Sequence, residues 1–194
     1  MPLDPLHGFV FAGLFSPGPN VILLTAAGAR FGMARTLPMI AGISLGVGIT
    51  SGLTGLGIGA LLAGLPTLGL LLRIVAAGWI LWMAWQLFQS TRAPEGAAPA
   101  RPMRFHEAML FQWVNPKVWA VALAAASGYA AGLTPWGEAT RLAAAFSGIN
   151  LFVCLFWAAA GTALTWLLKT PRAWSIFTTF MALMLAISAG MVFL

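Results

Sequence analysis

The stretch Ser16-Pro17-Gly18-Pro19-Asn20 interrupts the first long apolar run of the chain, which extends over residues 6–29. Proline removes a helical hydrogen bond and clashes with the preceding turn, so this stretch leaves several backbone carbonyl groups without partners. A second interruption, Asn115-Pro116-Lys117, lies in a later apolar run, residues 107–131. In hydrocarbon, irregular backbone persists only where protein buries it or where it lines a wet cavity. The two breaks therefore predict a polar site inside a bundle of helices.

The composition places this bundle in a membrane. Of 194 residues, 60% are hydrophobic and only 7% are charged, whereas a soluble domain has about 25% charged residues. The mean hydropathy is +0.92. One spanning helix needs roughly 20 apolar residues, so the chain predicts an all-α integral membrane protein, a single transmembrane domain over residues 1–194. Its six transmembrane helices are expected at 6–29, 38–63, 67–89, 107–131, 140–168 and 174–193.

The basic residues predict the orientation of the spans. The loops at 30–37, 90–106 and 169–173 hold seven of the ten Lys and Arg residues. Basic loops stay in the cytoplasm, so both termini are expected outside. The start of the chain has an acid and no Lys or Arg, which predicts a retained span rather than a cleaved signal. The preference of basic loops for the cytoplasmic side also explains the net charge of +6. The expected partner of the protein surface is therefore membrane lipid and not nucleic acid.

The positions of the breaks predict two inverted halves. Each break lies in the first span of a three-span half, 1–90 or 107–194, and residues 91–106 form the linker. Three is an odd number, so the halves run in opposite directions, as in inverted-repeat transporters. The N-terminal ends of half-helices carry partial positive charge and can receive a carboxylate. Lys117 either faces the cavity as the counter-ion of a substrate carboxylate or reaches the headgroups.

The acidic residues are informative because of where they lie. Asp4, Glu95, Glu107 and Glu138 all fall in loops or at span edges. A cationic substrate or a divalent metal would normally need a carboxylate within the spans, so a neutral substrate is expected. The sequence has no Ser/His/Asp set, no HExxH motif and one cysteine, Cys154. We therefore expect no enzymatic activity, no metal site and no cofactor. Two alternative functions remain, a metal or inorganic-ion exporter of related architecture and a membrane scaffold that transports nothing.

Glycines recur four residues apart along the second span, in the pairs Gly42–Gly46, Gly48–Gly52 and Gly55–Gly59. Small residues at this spacing let helix backbones approach closely in lipid. Such rows can serve tight packing inside the bundle, a surface on which the bundle rocks, or a homodimer.

Five motifs along the chain are informative in their order and spacing. They are the 16–20 break, Arg30-Phe31-Gly32, Ala41-Gly42-Ile43-Ser44-Leu45-Gly46, Arg73 with Gly78-Trp79-Ile80-Leu81-Trp82, and Phe111-Gln112-Trp113-Val114-Asn115-Pro116-Lys117. Together they resemble the LysE/RhtB family of amino-acid exporters, whose order and spacing of motifs they match along the whole chain. The resemblance implies an inner-membrane exporter with six helices, driven by the proton gradient. It also implies a substrate path lined by Pro17, Gly18, Pro19, Asn20, Ser44, Gly46, Asn115, Pro116 and Lys117, with Gly148 and Asn150 at a comparable place in span five.

The resemblance narrows the substrate class as well. The lysine-exporting branch of the family carries an acid near the position of Ser44, and this chain has none there. The stretches around Ser44 and Asn115 are more similar to the cysteine and O-acetylserine exporters, with the threonine and homoserine exporters next. The implied substrates are small neutral amino acids or close derivatives, exchanged against protons.

Overall fold

The computed structural model describes residues 4–58, 64–89 and 101–190. These residues form seven α-helices and one 3₁₀ turn, Leu164–Trp166, and include no strand. The α-helices are α1 (Pro5–Phe15), α2 (Pro19–Gly55), α3 (Pro66–Gln89), α4 (Phe105–Val114), α5 (Pro116–Gly128), α6 (Pro135–Ala163) and α7 (Pro171–Gly190). The prediction of an all-helical fold is confirmed for these residues. Most of the predicted linker, residues 91–100, and Gly59 of the glycine rows lie outside the described residues.

Three of the described helices are long and apolar enough for a bilayer. Within the described residues, Pro19–Gly55, Pro135–Trp166 and Pro171–Gly190 are long and apolar enough to cross a membrane, and Pro5–Phe15 is a shorter apolar helix. Large apolar side chains stand exposed on the outside of the bundle, among them Leu70, Trp82, Phe152 and Leu183, each more than half exposed. Extended apolar surface of this kind fits lipid rather than water.

Gly32 bends α2 within a single residue. Its backbone has φ 76° and ψ 168°, a left-handed conformation that residues with a Cβ rarely adopt. Helical hydrogen bonding continues on both sides, so α2 consists of a first segment, 19–31, and a second segment, 33–55. The Thr36 hydroxyl donates to the Gly32 carbonyl at 2.9 Å and satisfies an acceptor at the bend. The sequence predicted a loop over 30–37. This prediction is wrong, because these residues are helical and the chain changes direction at Gly32 alone.

Two hydrophobic cores hold the helices together. The larger core joins α1, α2, α5 and α6 through residues such as Leu6, Ile43 and Phe146. The smaller core packs α3 and α7 against Ile22 of α2 and Phe111 of α4. The α3–α7 pair therefore flanks a central group made of the helices that carry the two breaks and of α6.

The glycine rows of α2 pack inside this central group. Gly42 lies against the carbonyl of Phe105, and a Cβ on Gly46 would stand 2.7 Å from the carbonyl oxygen of Met109. The second segment of α2 therefore runs in the same direction as α4. Its other face meets α6, because a Cβ on Gly48 would lie 2.9 Å from Ser147 Cβ and one on Gly52 would lie 3.2 Å from Ala143 Cβ. This order of contacts makes the second segment antiparallel to α6.

Candidate functional site

The first break separates α1 from α2. The N–H of Ser16 still bonds to the Ala12 carbonyl at 3.2 Å, and the Ser16 hydroxyl donates to the Gly13 carbonyl at 2.9 Å, which closes the last turn of α1. Gly18 then has extended backbone, with φ 177° and ψ 179°, and Pro19 opens α2. Proline suits this first helical position because its missing N–H would have had no partner there.

The second break separates α4 from α5 and is built in a similar way. Asn115 has extended backbone, with φ −79° and ψ 103°, and Pro116 opens α5. The Asn115 side-chain oxygen accepts a hydrogen bond from the N–H of Lys117 at 3.2 Å. This bond caps the new helix and satisfies one of its unpaired donors.

The two breaks meet through three amide side chains, Asn20, Gln112 and Asn115, which we call the amide cluster. Asn20 Nδ2 donates to Gln112 Oε1 at 2.8 Å, and Gln112 Nε2 donates back to Asn20 Oδ1 at 3.2 Å. Asn115 Nδ2 lies 3.3 Å from Asn20 Oδ1 and 3.2 Å from Gln112 Oε1. The residues that sequence reasoning placed at separate breaks therefore share one hydrogen-bond network.

Gln112 is the member that sequence reasoning quoted in a motif but did not assign to the site. Its side chain is fully buried, and its second Nε2 hydrogen goes to the Ala108 carbonyl at 3.0 Å. Gln112 precedes Asn115 by one helical turn, and residues three apart share a helix face. That spacing was the signal in the sequence that could have assigned Gln112 to the site. The pairing with Asn20, 92 positions away, depends on the tertiary fold.

Lys117 reaches from α5 back to the first break. Its ammonium donates to the carbonyl oxygen of Ser16 and to that of Pro17 at 3.2 Å. These carbonyls stand at the C-terminal end of α1, where the helix dipole favours a cation. No carboxylate of the described residues forms a salt bridge with Lys117. Its charge is therefore held by backbone oxygens that a ligand carboxylate could replace.

A small cavity lies between the breaks. Gly18, Asn20, Asn115, Lys117 and Asn150 line it, together with Leu14, Val21 and Val118. Its volume is about 10 Å³, which is about the space that one water molecule needs. Asn150 enters from α6, is 2% exposed, and its amide nitrogen has no hydrogen-bond partner. Any molecule larger than one water can enter this cavity only if the helices move.

The other predicted site residues lie at different distances from the cavity. Pro17 is exposed, while Pro19 is buried and Pro116 is partly buried, both at helix starts. Gly46 lies behind the amide cluster, since a Cβ there would stand 2.8 Å from Gln112 Cγ. Ser44 is buried on α2 beside Cys154.

Gly148 is a predicted site residue that the structure places on the outside of α6, away from the cavity. It is exposed, and a Cβ at this position would meet nothing within 4 Å. Asn150 is two residues further along α6. At about 100° per residue, the two positions point in nearly opposite directions.

A cluster of charges stands at one end of the bundle, away from the cavity. Arg141 bonds to Asp4 at 2.7 Å and to Glu138 at 3.3 Å, and so ties the first turn of α1 to α6. The hydrogen bond from Arg141, and then the one from the N–H of Leu6, hold the pKa of the Asp4 carboxyl below its usual value. Within the described part of the chain no acid lines the cavity, and no three His, Cys, Asp or Glu side chains come together as metal ligands.

Comparison with known proteins identifies the family of the chain. The family model for the LysE type translocator matches residues 11–194. The chain belongs to the LysE family. Among curated LysE-family relatives, the cysteine/O-acetylserine efflux protein of Salmonella choleraesuis is 34% identical over 165 residues, covering 83% of each chain. The protein of the same name from Escherichia coli K12 is 31% identical over 150 residues, covering 75% of each chain. No solved structure matches the chain.

Proposed function

We propose that the protein is a proton-coupled secondary exporter of small neutral amino acids or close derivatives, in the cysteine/O-acetylserine or threonine/homoserine class. Its relatives are named cysteine/O-acetylserine efflux proteins, which supports this class. The observation that carries the proposal is the amide cluster, which joins two helix breaks beside Lys117. The proposed location is the bacterial inner membrane.

The groups around the cavity match both charged ends of an amino acid. Lys117 and the first turn of α2, whose N–H groups lack intrahelical partners, offer positive charge to an α-carboxylate. The carbonyls of Ser16 and Pro17, which now hold Lys117, and the amide oxygens of the cluster can accept from an α-ammonium. A carboxylate that binds Lys117 would release these carbonyls, so both ends of the substrate bind together.

The same surroundings favour neutral side chains. A basic substrate would bring a second positive charge into a site where no acid of the described residues can meet it. An acidic substrate would leave one of its two carboxylates without a partner other than Lys117. Burial of an unpaired charge is costly, so neutral amino acids fit best.

The helix directions support six spans in two inverted halves. Span one is α1 with the first segment of α2, span two is the second segment, span three is α3, span four is α4 with α5, and spans five and six are α6 and α7. Span two packs on α6, and α3 packs on α7, which pairs each helix with its counterpart in the other half. Span two also runs opposite to α6, as inversion requires. The bend at Gly32 and the segments 90–106 and 169–173 are proposed to face the cytoplasm, and the proposed termini are outside.

The closed cavity supports alternating access. Substrate entry requires the two breaks to separate and the amide cluster to open. A hydrogen bond exchanged for one of similar kind changes the free energy by only about 1 kcal/mol, so the cluster can exchange its internal bonds for bonds to a substrate at low cost.

Efflux from loaded cells tests the proposal. Cells that express the protein are loaded with serine, threonine, homoserine, O-acetylserine, lysine or glutamate, and the amino acid outside is measured with and without a protonophore. We expect export of neutral amino acids above an empty-vector control, suppressed by the protonophore. Efflux at the level of the empty vector for every neutral amino acid would refute the proposal.

A further inference from the structure

Four buried side-chain polar atoms make no hydrogen bond within the described residues, and all four lie on α2 and α6. They belong to Thr50, Ser51, Asn150 and Trp157. Hydroxyl groups in helices usually bond back to the carbonyl four residues earlier, as Thr54 does on the same helix at 3.0 Å. The lack of a hydrogen-bond partner is therefore a feature of these positions and not of the helix as a whole. Unpaired buried polar groups are costly and require an explanation.

One of these residues, Ser51, lies on the face of α2 that packs against α6, as does Ser44, which lies beside Cys154 of α6. Residues three, four or seven apart share one face of a helix, and Gly48 and Gly52 of this face contact Ser147 and Ala143 of α6. On α6, Asn150 and Ser147 are one turn apart. We call this contact, formed by Ser44, Gly48, Ser51 and Gly52 with Ala143, Ser147 and Asn150, the α2–α6 seam.

The seam begins at the cavity and ends at the charge cluster. Asn150 lines the cavity, and each further turn of α6 toward its start meets a later residue of α2, until Gly55 stands against Glu138. Glu138 belongs to the cluster in which Arg141 binds Asp4. A row of polar and small residues thus runs between two helices from the cavity to one end of the bundle.

We propose that the α2–α6 seam is the exit route, which opens to water and admits the substrate after it leaves the cavity. This inference rests on the proposed export function. When the seam opens, water or substrate supplies the hydrogen bonds that Ser51 and Asn150 lack in the closed arrangement. The charge cluster closes the far end by tying the first turn of α1 to α6, and the proposed topology places that end outside.

The contacts that define the seam are made by small residues, namely glycine, alanine and serine. Elsewhere on α6 the packing is different, since Phe15 of α1 stacks near Phe156 and Trp157 at 5.2 Å between ring centroids. The seam would therefore give an opened route a small and partly polar lining, which the aromatic end would not.

Cysteine accessibility tests the route, because Cys154 is the only native cysteine. On a Cys154→Ala background, Ser51→Cys and Ser147→Cys introduce single thiols in the seam. Leu45→Cys, on the lipid-facing side, and Ala189→Cys, buried in the α3–α7 core, are matched controls. A charged, membrane-impermeant methanethiosulfonate is applied to intact cells and to inside-out vesicles, with and without O-acetylserine as the transported probe.

We expect both seam thiols to react about tenfold faster than Ala189→Cys, because the open state is populated during transport. We also expect modification of the seam thiols to slow export. If export proceeds while both seam thiols react no faster than the controls, the route is wrong. If the seam thiols react but no amino acid is exported, the water-accessible route stands and the proposed substrate class fails.

Ser51→Ala gives a second measurement that does not need a cysteine. Removal of an unpaired buried hydroxyl should raise the melting temperature of the purified protein, while loss of a polar group from the route should slow export several-fold. Thr54→Ala is the matched control, since its hydroxyl is bonded and its loss should lower the melting temperature. A Ser51→Ala protein that melts lower and exports normally would contradict the route.

Discussion

Asn115 has two separable roles at the second break. Its side-chain oxygen caps α5, and its side-chain nitrogen donates to Asn20 and Gln112. The sequence predicted Asn20 and Asn115 as site residues because both lie next to prolines that interrupt an apolar run. It did not predict that Gln112 would join them, since a contact between distant turns cannot be read from local spacing.

Two substitutions separate the roles of Asn115. Asn115→Ala removes cap and donors, and loss of a cap typically costs about 0.5–2 kcal/mol of stability. Asn115→Asp keeps an oxygen for the cap but cannot donate when ionised. We expect Asn115→Ala to melt lower than Asn115→Asp, and both to lose export while still inserting. Melting in detergent and initial efflux rates are the measurements, and normal export by Asn115→Asp would show that the donors are not needed.

Lys117 is expected to act through its charge. Hydrogen bonds to charged groups contribute about 1.5–3 kcal/mol, and each 1.4 kcal/mol or so is a factor of about ten. Lys117→Met should therefore lower the initial efflux rate about tenfold or more, and Lys117→Arg should lose less because the cation remains. Lys169→Met, which removes an exposed charge in the connection between Trp166 and α7, is the control. Equal efflux from Lys117→Met and the native protein would place Lys117 outside the site.

At the level of the helices, local signals predicted the breaks but not the bend. Proline fixes the start of a helix through its own geometry, so Pro19 and Pro116 could be identified from the sequence. A glycine with positive φ can bend the chain in one residue, and nothing in the sequence distinguishes Gly32 from a glycine inside a helix. Helix faces were equally hidden, because a membrane helix is apolar all round. Gly148 and Asn150 were therefore predicted to line the same path although they point apart.

Glycine-to-alanine substitutions at Gly32 and Gly148 should act in opposite directions. Gly32→Ala forces a residue with a Cβ into a left-handed conformation, which costs about 1–2 kcal/mol. Gly148→Ala adds a methyl group where nothing lies within 4 Å, and in a helix interior this should stabilise by about 0.5–1 kcal/mol. Thermal melting in detergent measures both. If the Gly32→Ala protein is as stable as the native one, a Cβ at position 32 does not strain the bend.

At the scale of the whole molecule, composition predicted a membrane bundle and the structure shows its arrangement. A central group contains both breaks and α6, and the α3–α7 pair flanks it. The charge cluster joins the first turn of α1 to the start of α6. The sequence could place its acids at span edges, but it could not pair Asp4 with a residue 137 positions away.

Acid should loosen this end of the bundle. The bound Asp4 carboxyl has a pKa below its ordinary value of 3.8, so it stabilises the folded state at pH values above that. The stabilisation is lost as the pH falls through the lower pKa of the folded state. Glu138, Arg141 and His7 are the other charged or titratable groups that face it. We expect the melting temperature of the native protein to fall more steeply below pH 4 than that of Asp4→Asn. Parallel melting curves against pH would contradict the role of this pair.

The central claim is that the two breaks form one binding site for a neutral amino acid. Melting of the purified protein with threonine, O-acetylserine, lysine or glutamate tests it most directly, because a ligand that binds the folded state raises its melting temperature. We predict that threonine or O-acetylserine raises the melting temperature of the native protein, that lysine and glutamate do not, and that Asn115→Ala abolishes the rise. A rise that persists unchanged in Asn115→Ala, or no rise with any neutral amino acid, would contradict the claim.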